Sequence, residues 1–293
     1  MFVGYLPNSQ MVFTAHKKLS LFLDDIRYTH NSIGFVPTMG ALHDGHLALM
    51  SKALDENDFL VISIFVNPTQ FNNKADLEKY PRLLEQDHKK ILAHISKDQF
   101  VLYAPAVEDV YGKNATSNKY DFGSLENVME GAQRPGHFDG VGTILEFLFK
   151  VVKPDRAYFG EKDFQQLQII KELVKILGLD LEIVGCPIHR EKSGLAMSSR
   201  NGRLSPESFE KAAHIYRTLS ESKAYFQDHD IKETIDFVEQ KINAIAEFEL
   251  EYFTIAEEQT LLPASNKEAN KKYRAFIVVH LQDVRLIDNI PLY

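Results

Sequence analysis

From about residue 33 the chain alternates short apolar runs with amphipathic stretches. Ile33 to Val36, Phe59 to Val66, Phe100 to Tyr103 and Arg156 to Phe159 read as strands buried on both faces of a parallel sheet. Between them Leu47, Met50 and Leu54 share one helical face. So do Leu84, Ile91 and Ile95, and then Val141, Ile144, Leu145, Leu148 and Val152. This alternation predicts a doubly wound, Rossmann-like α/β fold. After Leu181 to Val184 the texture changes, passing through a polar loop to amphipathic helices over about 206–226 and 231–247, with Pro206 suited to a first helical turn. Two β-rich runs follow at 249–255 and 273–281, predicting a smaller C-terminal α+β part with an antiparallel sheet. The expected domains are 1–187, where ligands bind, and 188–293, a lid; residues 1–10 read as an extension without functional weight. No repeat at a solenoid period is present.

Composition narrows the function without choosing it. With 44% hydrophobic and 25% charged residues the chain is of ordinary globular type. A net charge of -8 with no long basic run disfavours nucleic acid, although a few local donors can still hold one nucleotide. The single cysteine, Cys186, allows neither an internal disulfide nor a cysteine zinc site, and reads as a small core residue rather than a nucleophile. The longest apolar run, Phe59 to Val66, is too short to cross a bilayer, and the amino terminus lacks a signal pattern. A cytoplasmic chain is expected.

The polar clusters follow directly on predicted strands: PTMGALHDGH, NPTQF and GEKD. Ligands of open α/β sheets bind beyond the carboxyl ends of strands, so these three segments share one rim. In PTMGALHDGH, Gly40 and Gly45 permit a tight turn, Asp44 is placed to cap the next helix, and His43 and His46 fall at its amino end. Unpaired N–H groups and a positive dipole make phosphate the natural ligand there. The pattern resembles the HIGH signature of nucleotidyltransferases and class I aminoacyl-tRNA synthetases; a His-x-x-His metal pair or two capping histidines would leave the same trace. Met197-Ser198-Ser199-Arg200 resembles that superfamily's second phosphate-binding loop, with hydroxyls and a guanidinium suited to phosphate oxygens.

Taken in order, PTMGALHDGH, SIFVNPTQF, YPR, EGAQRPGHFDGV, FGEKDFQQ, AMSSRNGRLS and RLIDN resemble the pantoate-beta-alanine ligase family over about residues 11–290. The resemblance implies ATP-dependent activation of pantoate as an acyl adenylate, which β-alanine then displaces. It implies that Met39, Gly40, Ala41, Leu42, His43, Asp44, Gly45 and His46 bind ATP, with His46 as proton donor and His43 and Lys162 beside it in catalysis. Gly160, Glu161, Lys162 and Asp163 match a second ATP segment. His189, through its backbone, and Met197, Ser198, Ser199 and Arg200 match the remainder. Gln70 and Gln166 match the residues that hold pantoate, and Asp87 a magnesium-associated carboxylate. Arg134 and His137 are assigned to the site rim. A homodimer is implied as well.

Some positions depart from the family pattern: Phe147 stands where a lysine is usual, and AEEQTLLP replaces an Asp-Pro segment. The rival readings are a nucleotidylyltransferase, which would join a nucleotide to a phosphorylated substrate and stop there with no need for pantoate and β-alanine, and a non-catalytic nucleotide-binding protein. The paired glutamines oppose the first, and the retained histidines, Lys162 and Arg200 the second. Dinucleotide chemistry is disfavoured because Gly140-Val141-Gly142 lacks the third glycine of GxGxxG, and no Walker motif occurs.

Overall fold

In a computed structural model, which describes residues 12–72 and 74–293, the expected alternation becomes a six-stranded, all-parallel sheet. Its elements are β1 (Val12–Phe13), α1 (His16–Thr29), β2 (Ile33–Thr38), α2 (Asp44–Glu56), β3 (Phe59–Ile64), α3 (Lys74–Lys79), α4 (Leu84–His94), β4 (Phe100–Tyr103), α5 (Val107–Tyr111), α6 (Met129–Gln133), α7 (His137–Val152), β5 (Arg156–Gly160), α8 (Phe164–Leu177) and β6 (Glu182–Cys186). The strand order is β1-β4-β3-β2-β5-β6. It reverses between β2 and β5, and at such a switch point the two following loops diverge to opposite faces and leave a crevice.

Alternate side chains of each strand point to opposite faces, and both faces are covered. Phe35 packs with Leu23 of α1, Phe149 of α7 and Leu167 of α8. Its neighbour Val36 packs on the other side with Met50 of α2 and Ile91 of α4. Strand β3 stops at Ile64 rather than running on to Val66, where the chain turns toward a 3-10 turn at Pro68–Gln70. Leu84, expected on the buried side of α4, is 39% exposed; Asp87 and His88 are buried there instead.

The C-terminal part contains α9 (Pro206–Asp228), α10 (Ile231–Asn243) and an antiparallel sheet β7 (Phe248–Glu257), β8 (Tyr273–Leu281), β9 (Val284–Pro291). Ser205 caps α9 through its side chain with Pro206 at the first position, as the pattern suggested. Ile215, Leu219, Val238, Ile277 and Val279 form a separate core. Strand β9 had no counterpart in the sequence reading. Residues 1–10 lie outside the described residues. Among the described residues no helix is long and apolar enough to cross a membrane.

Candidate active site

The loop from β2 to α2 reaches the switch point in an unusual backbone conformation. Gly40 and Ala41 both adopt positive φ, +82° and +52°. For Ala41 the left-handed region costs roughly 1–2 kcal/mol, and a neighbouring side chain holds it. Asp87 of α4, 1% exposed, accepts the N–H of Ala41 through Oδ2 (2.9 Å) and that of Leu42 through Oδ1 (2.8 Å). Thr38 Oγ1 accepts the Gly40 N–H at 3.2 Å. The resemblance implied a magnesium-associated carboxylate at Asp87; here each of its two oxygens accepts one N–H of this loop. Among the described residues no group of three or more His, Cys, Asp and Glu side chains is placed to hold a metal.

His43 is the N-cap of α2, and Asp44 follows it in the first turn rather than capping. The His43 N–H donates to His46 Nδ1 at 3.2 Å, so the neutral His46 ring keeps its proton on Nε2. The two rings lie 4.1 Å apart. Burial first, then the other ring and the Lys162 and Lys90 ammonium groups, holds His46 down to about 3. Burial and Lys162 hold His43 down to about 4. His43 Nδ1 is buried with no hydrogen-bond partner in the protein. At neutral pH the pair is therefore uncharged, and its N–H groups donate hydrogen bonds without carrying formal charge.

Facing this helix end, β5 delivers Lys162 on the 3-10 turn Glu161–Asp163. Asn289 of β9 holds that turn, donating from Nδ2 to the carbonyls of Glu161 (2.9 Å) and Lys162 (3.0 Å). The preceding residue, Asp288, binds Arg190 through both oxygens at 2.6 and 2.9 Å. The Met197–Arg200 loop approaches from the C-terminal part. Its Met197 N–H donates to the His189 carbonyl (3.0 Å), Arg200 pairs with Asp76 of α3 (3.0 Å), and Ser199 Oγ lies 3.4 Å from the Tyr80 hydroxyl.

The third wall is the turn after β3. Asn67, 1% exposed, donates to the Gly140 carbonyl (3.0 Å) and to Gln70 Oε1 (3.1 Å), while its own Oδ1 accepts from Tyr111 (2.5 Å). Gln70 is thereby aimed, and its Nε2 lies 2.9 Å from the Met39 sulfur. Helix α7 approaches this turn so closely that a Cβ on Gly140 would sit 2.5 Å from the Thr69 carbonyl oxygen. His137 Nδ1 donates to the Gln70 carbonyl (2.8 Å), and Arg134 Nη2 to the same oxygen (3.2 Å). Gln166 emerges from the first turn of α8.

Met39, His43, Gly45, His46, Gln70, Gly160, Lys162, Asp163, Gln166, His189, Met197, Ser198, Ser199 and Arg200 all line one cleft of about 270 Å³. Gly40, Ala41, Leu42 and Asp44 shape its loop and helix end, and Asp87 braces them. Glu161 stands aside, 3.6 Å from Arg274. Phe147 meets the His16 ring edge-on, 5.6 Å away. Burial pushes the Cys186 thiol up to about 11, as befits a core residue. In the AEEQTLLP segment Leu261 is fully buried with φ +58°. Sequence reasoning did not single out Asn67, Tyr80, Asp76 or Asn289. Three lay inside quoted motifs, but their partners are distant along the chain.

A profile of the family described as pantoate-beta-alanine ligase matches residues 11–291. The chain belongs to that family. Pantothenate synthetase of Flavobacterium psychrophilum is 51% identical over 282 residues, 96% of this chain and 99% of the relative. That of Bacteroides fragilis (strain YCH46) is 49% identical over 274 residues, 94% and 96% of the two chains. The crystal structure of pantothenate synthetase from Thermus thermophilus superposes with a TM-score of 0.88 at 41% identity, covering 97% of this chain and all of that one. A Francisella tularensis pantoate-beta-alanine ligase, solved with β-γ ATP and β-alanine, gives 0.77 at 34%, covering 97% and 98%. The fold expected of the family is the fold found.

Proposed function

We propose that this chain condenses pantoate with β-alanine at the expense of ATP, through a pantoyl-adenylate intermediate. A pantoate carboxylate oxygen attacks the α-phosphorus, the bond to the β-phosphate breaks, and pyrophosphate leaves. The β-alanine nitrogen then attacks the acyl carbon, the carbon–oxygen bond to AMP breaks with its electron pair on AMP, and the amine proton passes to solvent. The observation that carries this reading is the meeting, in one cleft, of the α2 amino end, Lys162 and Arg200 with the neutral pair Gln70 and Gln166.

In this reading the triphosphate lies across the start of α2, where free N–H groups and the helix dipole favour anions. His43 and His46 donate neutral hydrogen bonds to phosphate oxygens, and Lys162 and Arg200 neutralise charge as pyrophosphate departs. Arg200 exchanges Asp76 for phosphate, so the C-terminal part, residues 188–293, acts as the lid over the ligand-binding part, 1–187. Gln70 and Gln166 take the hydroxyls and carboxylate of pantoate. His189 and Met197 flank adenine. Magnesium, which commonly keeps waters and phosphate oxygens as most of its shell, arrives on the nucleotide; no step here runs through it. The family resemblance supports a homodimer, and the single buried cysteine fits a cytoplasmic setting.

The test is ATP–pyrophosphate exchange without β-alanine, together with AMP release in the full reaction. Exchange should require pantoate, and sustained AMP release should require pantoate and β-alanine together. Exchange that proceeds without pantoate sinks the reading.

A further inference from the structure

His189 and Met197, which both line the main cleft, are the two ends of a small hairpin. The Met197 N–H donates to the His189 carbonyl (3.0 Å), Arg190 pairs with Ala196 in an antiparallel bridge, and the Glu191 N–H donates to the Leu195 carbonyl (2.8 Å). The loop that carries Arg200 leaves from this hairpin, so the stance of the hairpin sets where that guanidinium can reach. Arg190 itself is not among the residues lining the cleft.

The Arg190 guanidinium is held on three sides. Nη1 donates to the Gly194 carbonyl in the turn of its own hairpin (3.1 Å) and to Asp288 Oδ2 (2.6 Å), and Nη2 donates to Asp288 Oδ1 (2.9 Å). Its carbon lies 3.7 Å from the centre of the Tyr216 ring of α9. The Asp288 side chain is 3% exposed, and its Oδ1 also accepts the Asn289 N–H at 2.8 Å. A buried ion pair adds little stability over apolar side chains of the same volume, because desolvation offsets the attraction. A two-pronged contact between guanidinium and carboxylate does fix relative orientation, which an apolar contact would not. The next residue, Asn289, holds the turn that carries Lys162. Two adjacent residues of β9 thus grip the roots of both cationic elements that face the amino end of α2.

We propose that Arg190 and Asp288 are positioning residues for adenylate formation: the pair fixes the root of the Met197–Arg200 loop on β9 and so sets its separation from Lys162 across the triphosphate. The proposal rests on the ligase reading and adds residues that act through Arg200 without touching substrate. It places their effect on the step that expels pyrophosphate, since the amide-forming step has no triphosphate to grip.

The experiment compares wild type, Arg190→Lys, Asp288→Asn and the double variant Arg190→Met with Asp288→Asn, all in the full chain. Melting temperature, pantoate-dependent pyrophosphate exchange, and AMP release from added pantoyl adenylate and β-alanine are measured for each. Asp288→Asn leaves a buried guanidinium without its counter-charge and should melt lowest, and the double variant, with no charge left alone, should melt closer to wild type. Its exchange should nevertheless stay roughly 10- to 100-fold down, the scale of loss when a reacting group is held slightly out of place. The pantoate KM and AMP release from the adenylate should stay within a few-fold of wild type, and Arg190→Lys should keep part of the exchange. Exchange that recovers together with melting temperature in the double variant overturns the proposal, because the pair would then steady the fold alone. So does an equal loss in exchange and in AMP release from the adenylate. Should the double variant fail to fold, Arg190→Lys decides: exchange equal to wild type overturns the proposal, and a loss confined to exchange upholds it. Absence of pantoate-dependent exchange in wild type strikes the ligase reading instead.

Discussion

His46 illustrates how burial chooses between two roles that one side chain could play. An imidazolium would deliver a proton; a ring held down to about 3 is a neutral donor before ligand binds. His46→Ala should lower exchange on the order of 10²- to 10³-fold, the range for removing one preorganised donor at a developing charge. An unaltered rate in the folded variant would remove His46 from the chemistry. The same burial links to stability. His43 and His137 are each held down to about 4, chiefly by burial, and His46 to about 3, against an ordinary 6.5. As pH falls below 6.5 the unfolded chain binds protons first, so stability is whole above 6.5 and drains away toward pH 4. The melting temperature should fall across that window, and less steeply in His46→Gln. Asp87 makes a parallel case. Asp87→Ala leaves buried N–H groups unpaired and should cost on the order of 1–3 kcal/mol, to the same extent with or without Mg²⁺. A raised Mg²⁺ requirement at unchanged melting temperature would show a metal role instead.

Between elements, contact distance decides what each glycine does. Gly140 lets α7 lie on the Thr69–Gln70 backbone; a Cβ there would be 2.5 Å from one atom and 2.8 Å from another, both main chain. Gly140→Ala should therefore destabilise by roughly 1–3 kcal/mol and raise the pantoate KM, because the turn carrying Gln70 must shift. Gly160, where a Cβ meets nothing within 4 Å, should accept alanine with little change in melting temperature. Equal losses in the two variants would argue against close approach as the cause.

Across the whole molecule, the C-terminal sheet braces the turn that carries Lys162 at the edge of the N-terminal one. Asn289 joins Arg274 of β8 (2.7 Å) to the turn carrying Lys162. Asn289→Ala should raise the ATP KM several-fold by loosening that turn. Since it acts through Lys162, the two losses should not add: a double-mutant cycle on kcat/KM for ATP should show coupling of roughly 0.5–3 kcal/mol. Strict additivity would mean that Asn289 steadies the fold alone.

The apolar runs and helical faces were enough to place β2 to β8 and the parallel sheet, because burial on both faces demands near-continuous apolar strands and one-sided helices. Short β1 and edge strand β9 escaped: one holds two residues, and the other interleaves buried Leu286 with Arg285 and Asp288. The residues of the site were legible as motifs at strand ends, since a turn beyond a strand must carry its glycines and polar groups locally. Which partners each motif residue takes was decided only in three dimensions. Asp87 reaches a loop more than forty positions back, Asn289 a turn more than 120 back, and Arg134 the Gln70 carbonyl more than sixty back. Local pattern records which way a side chain must face; partners brought together from distant positions are decided by packing, and packing also sets the charge that His46 can hold.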